Sequence, residues 1–145
     1  MRVVLDTSVI VAGLRSRTGA SAAVLEAASS RKVQIAASPA LFLEYEQVLK
    51  RSEHRIGPEQ VDGFLSELAG IIEPIEIHFI WRPQLMDADD EMVFDAAING
   101  QVDAIVTHNR RDFEHAARRF GIHVWSPAAL LWALRQERRN EDAIL

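Results

Sequence analysis

Short apolar runs alternate with longer amphipathic stretches along the whole chain, and most of the runs stop at a polar residue. Arg2–Asp6 is a strand-length run rich in Val and Leu that ends in a carboxylate. Val9–Leu14 is apolar again and predicts a short helix, which Thr7 or Ser8 would cap. The alanine-rich stretch Ala20–Ser30 predicts a helix and Val33–Ala37 a second strand. Ser38 followed by Pro39 suits an N-cap and first helical position, opening a helix to about Lys50 with Leu41, Val48 and Leu49 among its apolar positions. Gly57-Pro58 breaks the chain. Val61–Ala69 then carries Val61, Phe64, Leu65 and Leu68 at helical spacing, Ile71–Ile77 reads as a strand, and Phe79–Met86 is less regular. Asp90–Asn99 predicts a helix with Gly100 as its C-terminal signal. A strand over Val102–Thr107, a helix over Arg110–Phe120 and a strand over Ile122–Trp125 follow. Ser126-Pro127 opens a last helix to about Gln136, and the polar remainder, Glu137–Leu145, is expected to fray.

This βαβ-type alternation predicts an α/β fold in three layers, with a central, mostly parallel sheet of about five strands flanked by helices. No repeat, low-complexity segment or linker divides the chain, so residues 1–136 are expected to form one domain and 137–145 a polar tail. The 145 residues suffice for a real core, and 48% apolar with 26% charged is an ordinary globular balance. No apolar run reaches the roughly 18–20 residues of a membrane span, and the N-terminus lacks the pattern of a signal peptide. The expectation is a cytoplasmic protein without membrane contact. The absence of cysteine removes disulfides, thiolate zinc sites and cysteine nucleophiles.

A formal net charge of −5 argues against indiscriminate nucleic-acid binding, but its distribution is uneven. Asp87, Asp89, Asp90, Glu91 and Asp95 crowd one segment. Arg110, Arg111, Arg118 and Arg119 follow, and Arg135, Arg138 and Arg139 lie near the end. One reading is a cation site that handles a phosphate backbone; the other is solvated helix faces.

Ligands of open parallel sheets bind at the carboxyl ends of the strands, and four acids fall where such a fold would gather them. Asp6 ends the first strand, Glu44 lies early in the helix opened by Ser38-Pro39, Asp90 starts the helix after the acidic segment, and Asp112 follows the Val102–Thr107 strand. Carboxylates crowded together raise one another's pKa, and a hard divalent cation such as Mg²⁺ or Mn²⁺ resolves the conflict. Such ions support phosphodiester hydrolysis. No dinucleotide fingerprint, P-loop or H-E-x-x-H motif competes with this chemistry.

Each acid also has an ordinary role open to it. Asp6 could cap the next helix and Glu44 could be a solvated helix residue, with Glu46 on a different face. Asp87, Asp89 and Asp90 could complement a helix dipole, and Asp112 could pair with Arg110 or Arg111. Asp87 is the reserve candidate beside Asp90, as a cap or supporting acid, while Asp89 and Glu91 are expected to be solvated. The five histidines form no metal-ligand spacing. His108 lies near the site but is expected at the surface, and Trp81, Trp125 and Trp132 are expected in the core or at a dimer contact.

Leu5-Asp6-Thr7-Ser8-Val9-Ile10, Ser38-Pro39-x-Leu41-x-x-Glu44, Asp87-x-x-Asp90-Glu91 and Val106-Thr107-x-Asn109-x-x-Asp112-Phe113 together resemble the PIN-domain ribonucleases, including the VapC-type toxins of bacterial toxin–antitoxin modules. The resemblance runs from Arg2 to about Leu134. It implies metal ligands at Asp6, Glu44 and Asp90, a fourth acid at Asp112, and supporting positions at Thr7, Thr107, Asn109 and Asp87. It further implies Mg²⁺- or Mn²⁺-dependent RNA cleavage leaving a 3′-hydroxyl and a 5′-phosphate, an antitoxin partner and a homodimer. Arg15, Arg17, Arg110 and Arg111 are the expected contacts to flanking phosphates, which position a strand without reading its sequence. Many relatives have Asp where Asn109 stands, so this chain has one charge fewer for a second ion. Two other functions compete. One is a catalytically inactive PIN-like module that binds RNA or an antitoxin. The other is a phosphoacceptor domain, which resembles this chain in gathering acids at strand ends but calls for an acidic pair after the first strand and a late lysine. Here Thr7 follows Asp6 and no lysine follows Lys50.

Overall fold

The computed structural model describes residues 1–144. Strand β1 (Arg2–Leu5) leads into α1 (Thr7–Arg15) and α2 (Ala20–Ser29), then β2 (Gln34–Ala37), α3 (Pro39–Leu49) and α4 (Pro58–Ile71), with a single 3₁₀ turn (Ser52–His54) between the last two. Strand β3 (Glu73–Pro74), α5 (Ala88–Gly100), β4 (Ala104–Val106), α6 (Arg110–Arg119), β5 (His123–Trp125) and α7 (Pro127–Ile144) complete the chain. The five strands form one sheet in the order β3-β2-β1-β4-β5. Every pairing is parallel, with Val3 opposite both Ile35 and Ala104, and Leu5 opposite Val106. Helices flank the sheet as expected. Val3, Val4, Leu5, Ala104, Ile105 and Val106 are fully buried, which is why the central strands read as unbroken apolar runs rather than as alternation.

The parallel register brings the strand ends to one edge. The residues that follow β1, β2, β4 and β5 are Asp6, Ser38, Thr107 and Ser126, all polar. Ser38 Oγ accepts from the Leu41 amide (3.1 Å) and Ser126 Oγ from the Ala129 amide (3.1 Å), so these two start helices. Asp6 and Thr107 do something else. They sit side by side where the connection after β1 runs one way, toward β2, and the connection after β4 runs the other way, toward β5. In this architecture that switch point is the place for a ligand.

Several boundaries differ from the sequence reading. The strand expected over Ile71–Ile77 shrinks to Glu73–Pro74, because α4 runs on through Ile71 and Pro74 has no amide to donate. Only the Ile75 amide continues toward β2, reaching the Ala37 carbonyl at 3.0 Å. Pro58 starts α4 instead of only breaking the chain. Helix α5 begins at Ala88, before Asp90, with Asp87 as its N-cap accepting from the Asp89 amide at 2.9 Å. Gly100 is not the left-handed stop of α5; Gln101 takes that conformation (φ 47°). Gly100 is small for another reason: a Cβ there would stand 2.5 Å from Ile75 Cδ1. Helix α7 continues through the polar residues to Ile144 rather than ending near Gln136, in line with the good helix propensity of Glu and Arg. Leu145, the last residue of the expected tail, lies outside the described residues.

Candidate active site

Asp6 occupies the N-cap position of α1, yet its side chain caps nothing. Its Oδ2 accepts from Ser8 Oγ (2.7 Å) and from Thr107 Oγ1 (2.7 Å). Thr7 and Ser8 are not caps either: Thr7 is the first helical residue, and Ser8 spends its hydroxyl on Asp6. Asp6 is 6% exposed and Thr107 0%, so the carboxylate is fixed in a pocket of hydroxyl donors. Thr107 Oγ1 also accepts from the Asn109 amide at 2.9 Å, which ties the turn after β4 to the end of β1. Beneath them Tyr45 is 0% exposed and donates its hydroxyl to the Leu5 carbonyl at 2.5 Å. Burial, and then the charge of Asp6, push its phenol well above its usual pKa of 10.0, so it remains a donor. Its neighbour in sequence, Glu44, thus sits on a turn of α3 that is bolted to β1.

Asp6, Glu44, Asp90 and Asn109 line one cleft of about 590 Å³, with Thr7, Ser8, Arg15, Arg51, His54 and Asp89 among the other residues on its walls. Asp90, half-buried in the first turn of α5, has a carboxyl pushed from 3.8 up to about 7. Burial is the largest cause, followed by the charges of Asp6, Asp87, Asp112 and Asp89. Asp112 is exposed in the first turn of α6, outside the cleft walls but near enough for its charge to reach Asp90. Among the described residues it pairs with neither Arg110 nor Arg111. Asp87 is engaged as the α5 cap. Among the described residues, no three histidine, aspartate or glutamate side chains converge closely enough to hold an ion by themselves. A larger hollow, of about 960 Å³, lies between α2 and α7 and contains none of these acids.

Of the four arginines expected to hold phosphates, Arg15 lines the cleft; Arg17, Arg110 and Arg111 are exposed and do not. Arg51 and His54 on its walls were not legible as site residues, because they lie on a turn with no motif around it. Glu91 was expected in solvent and is instead 3% exposed, with Oε1 accepting from the Gln84 (2.7 Å) and Leu85 (2.9 Å) amides. It pins the irregular segment that leads to Asp87. Arg82 pins the same segment from its other end through buried Asp95 (2.6 Å), and Asn99 Oδ1 takes the His78 and Phe79 amides. His108 is exposed as expected, but its Nε2 is 2.8 Å from Ser21 Oγ on α2. Trp81 and Trp132 lie outside the core, at 48% and 59% exposed. Trp81 stacks between Phe79 and Phe120.

The sequence matches a family described as "PIN domain" over residues 2–111. No curated protein matches it. Among solved structures, a chain in the crystal structure of VapBC2 from Rickettsia felis bound to a DNA fragment from their promoter is similar, with a TM-score of 0.59 and 17% identity. The match covers 87% of the present chain and 98% of that one, and it bears on the fold. Among the described residues no helix is long and apolar enough to cross a membrane.

Proposed function

The chain belongs to the PIN-domain family, and from that premise we propose that it is a metal-dependent endoribonuclease, the toxin of a toxin–antitoxin module working in the cytoplasm. The observation that carries the reading is the pairing of Asp6 and Asp90 across the cleft. One carboxylate is held by two hydroxyl donors, and the other is driven up to about 7 by burial and by its acidic neighbours. A cation relieves that crowding. The donor set, carboxylates with an amide and hydroxyls nearby, suits Mg²⁺ or Mn²⁺. These ions keep several waters and need only one or two direct carboxylates, so the open spacing of the acids is compatible with them.

In this reading Asp6, Glu44 and Asp90 hold the ion, and Asp112 or Asn109 orients the attacking water. The ion supplies charge neutralisation at the scissile phosphate and an acidified water. Ser8 and Thr107 keep the Asp6 carboxylate aimed, and Tyr45 keeps the end of β1 in register with α3. Asp90 would have to be deprotonated to serve as a ligand. Arg15, with Arg17, Arg110 and Arg111 farther out, holds flanking phosphates. A structural relative from a VapBC2 assembly supports an antitoxin partner. The exposed ladder of Phe79, Trp81 and Phe120 offers a face for a second copy in a homodimer.

The rival reading is a PIN-like module that binds RNA or an antitoxin without cutting. Labelled RNA incubated with Mg²⁺ or Mn²⁺, and calorimetric titration of each metal, separate the two. Cleavage by the wild type that Asp6→Asn and Asp90→Asn both abolish is the expected result. RNA binding that needs no metal, with no cleavage, would leave the binding module.

A further inference from the structure

His108 and Ser21 are not on the walls of the cleft, yet both connect to the Asp6 carboxylate through their neighbours. His108 is the middle residue of the turn Thr107-His108-Asn109 that leaves β4. Its amide donates to Ser8 Oγ on α1 at a long 3.4 Å, and its Nε2 lies 2.8 Å from Ser21 Oγ in the first turn of α2. Ser21 is buried and His108 is exposed. One residue of the turn is thus tied to two helices at once. The corner those helices form is close-packed: a Cβ on Gly13 of α1 would stand 2.5 Å from Leu25 Cδ1 and 3.2 Å from the Ser21 carbonyl oxygen. Helix α2 therefore presents Ser21 from a fixed place.

Two consecutive amides of this turn lead to the same carboxylate oxygen. The His108 amide donates to Ser8 Oγ, and the Asn109 amide to Thr107 Oγ1 (2.9 Å). A hydroxyl has one proton to give, and each of these gives it to Asp6 Oδ2 at 2.7 Å. A hydroxyl that accepts from a fixed amide is held in one orientation, so the place of the turn decides how well both protons are aimed. The turn has little local support of its own. Asn109 sits at φ −115° and ψ 59° and supplies no side-chain cap to α6. At 3.4 Å the bond to Ser8 has no slack, and a small outward shift of the turn removes it. The contact between His108 and Ser21 is the anchor that opposes such a shift.

We propose that His108 and Ser21 form a clasp that positions the Asp6 carboxylate for its ion: the imidazole, held on Ser21, keeps the turn close enough for its two amides to orient the hydroxyls of Ser8 and Thr107 on Oδ2. This rests on the nuclease reading. His108 acts through its neighbours and is a positioning residue. Groups that hold a ligating carboxylate in place matter about 10–100-fold to metal affinity or activity when they are removed. The clasp therefore counts for more in the chemistry than one half-exposed hydrogen bond counts for in stability.

The test compares wild type, Ser21→Ala, His108→Ala, the double variant and His108→Gln. Mn²⁺ affinity is measured by calorimetry, kcat and KM by hydrolysis of bis(p-nitrophenyl) phosphate in saturating Mn²⁺, and stability by urea unfolding in EDTA. Both single variants should bind Mn²⁺ about tenfold more weakly and turn over about tenfold more slowly, with KM within about twofold of wild type. Their urea midpoints should stay close to that of wild type. The double variant should lose no more than either single one, because the two side chains make one contact. His108→Gln, which keeps a polar tip, should recover most of the loss. Single variants that bind Mn²⁺ and turn over as wild type does, or losses that add in the double variant, would overturn the clasp and leave the nuclease reading standing. A wild type that binds Mn²⁺ but hydrolyses neither the ester nor labelled RNA would refute the nuclease reading, and the Mn²⁺ affinities of the variants would then decide the clasp alone. A wild type that binds no Mn²⁺ would overturn both.

Discussion

Asp90→Asn should make the metal-free protein more stable at neutral pH, although it removes a proposed ligand. The Asp90 carboxyl lies at about 7 in the folded chain against 3.8 ordinarily. Between those values the folded state holds a proton that the unfolded state has released. Stability therefore falls as pH rises through that window and levels off above about 7. Taken at full value the displacement corresponds to roughly 4 kcal/mol, and because Asp90 is only half-buried, screening by solvent reduces this to about 2 kcal/mol. Asparagine carries no charge and escapes the penalty. In EDTA at about pH 8 the variant should unfold about 2 kcal/mol later in urea, and its Tm should be higher by about 6 °C. Near pH 4 the two proteins should converge. Salt should narrow the gap at high pH without closing it, because screening weakens the charges of Asp6, Asp87, Asp112 and Asp89 but not the larger effect of burial. Saturating Mn²⁺ should reverse the order, adding about 2.7 kcal/mol to wild type at a hundred times its Kd. A variant no more stable than wild type at high pH, or a gap independent of pH, would refute the crowding that underlies the site.

Metal binding at neutral pH should release protons from Asp90, about half a proton per ion at pH 7, measurable by calorimetry in buffers of different ionisation enthalpy. Thr107→Val should cost about 1–3 kcal/mol, since it strips both the donor to Asp6 and the acceptor of the Asn109 amide from a fully buried place. Urea unfolding of that variant at constant pH checks the figure, and a neutral result would show the two bonds to be dispensable. Tyr45→Phe should lose about 1–2 kcal/mol through the orphaned Leu5 carbonyl and, in the same preparation, lower kcat for RNA more than it raises KM, because it loosens the carboxylates.

The order of elements is legible because the central strands are buried apolar runs and some of the helices open on a recognisable capping signal. Ser38-Pro39 marks the start of α3, and the runs Val3–Leu5 and Ala104–Val106 mark the sheet. The strand expected over Ile71–Ile77 failed because apolar residues there serve the end of α4 and the packing against Gly100, and periodicity cannot tell these uses apart. Asp6, Glu44 and Asp90 could be singled out since they stand at strand ends and first turns. The turn carrying Arg51 and His54 could not, because its place on the cleft is set by how α3 packs on α1, a tertiary fact without a local pattern. Glu91 was misjudged for a related reason: a carboxylate in a run of acids looks solvated until the backbone amides it accepts from are known.

The hydrogen bond between Thr107 and Asp6 joins residues 101 positions apart. A chain made from its N-terminus exposes Asp6 almost at once, and at ordinary synthesis rates Thr107 follows on the order of ten seconds later. In that interval β1 lacks β4, the Asp6 carboxylate lacks its inner donor, and Asp90 has no fixed place beside it. For a protein that cuts RNA as proposed, the message being translated is the nearest substrate of all. Because the two halves of the crevice lie 101 positions apart in sequence, a long stretch of the message is read before the blade exists.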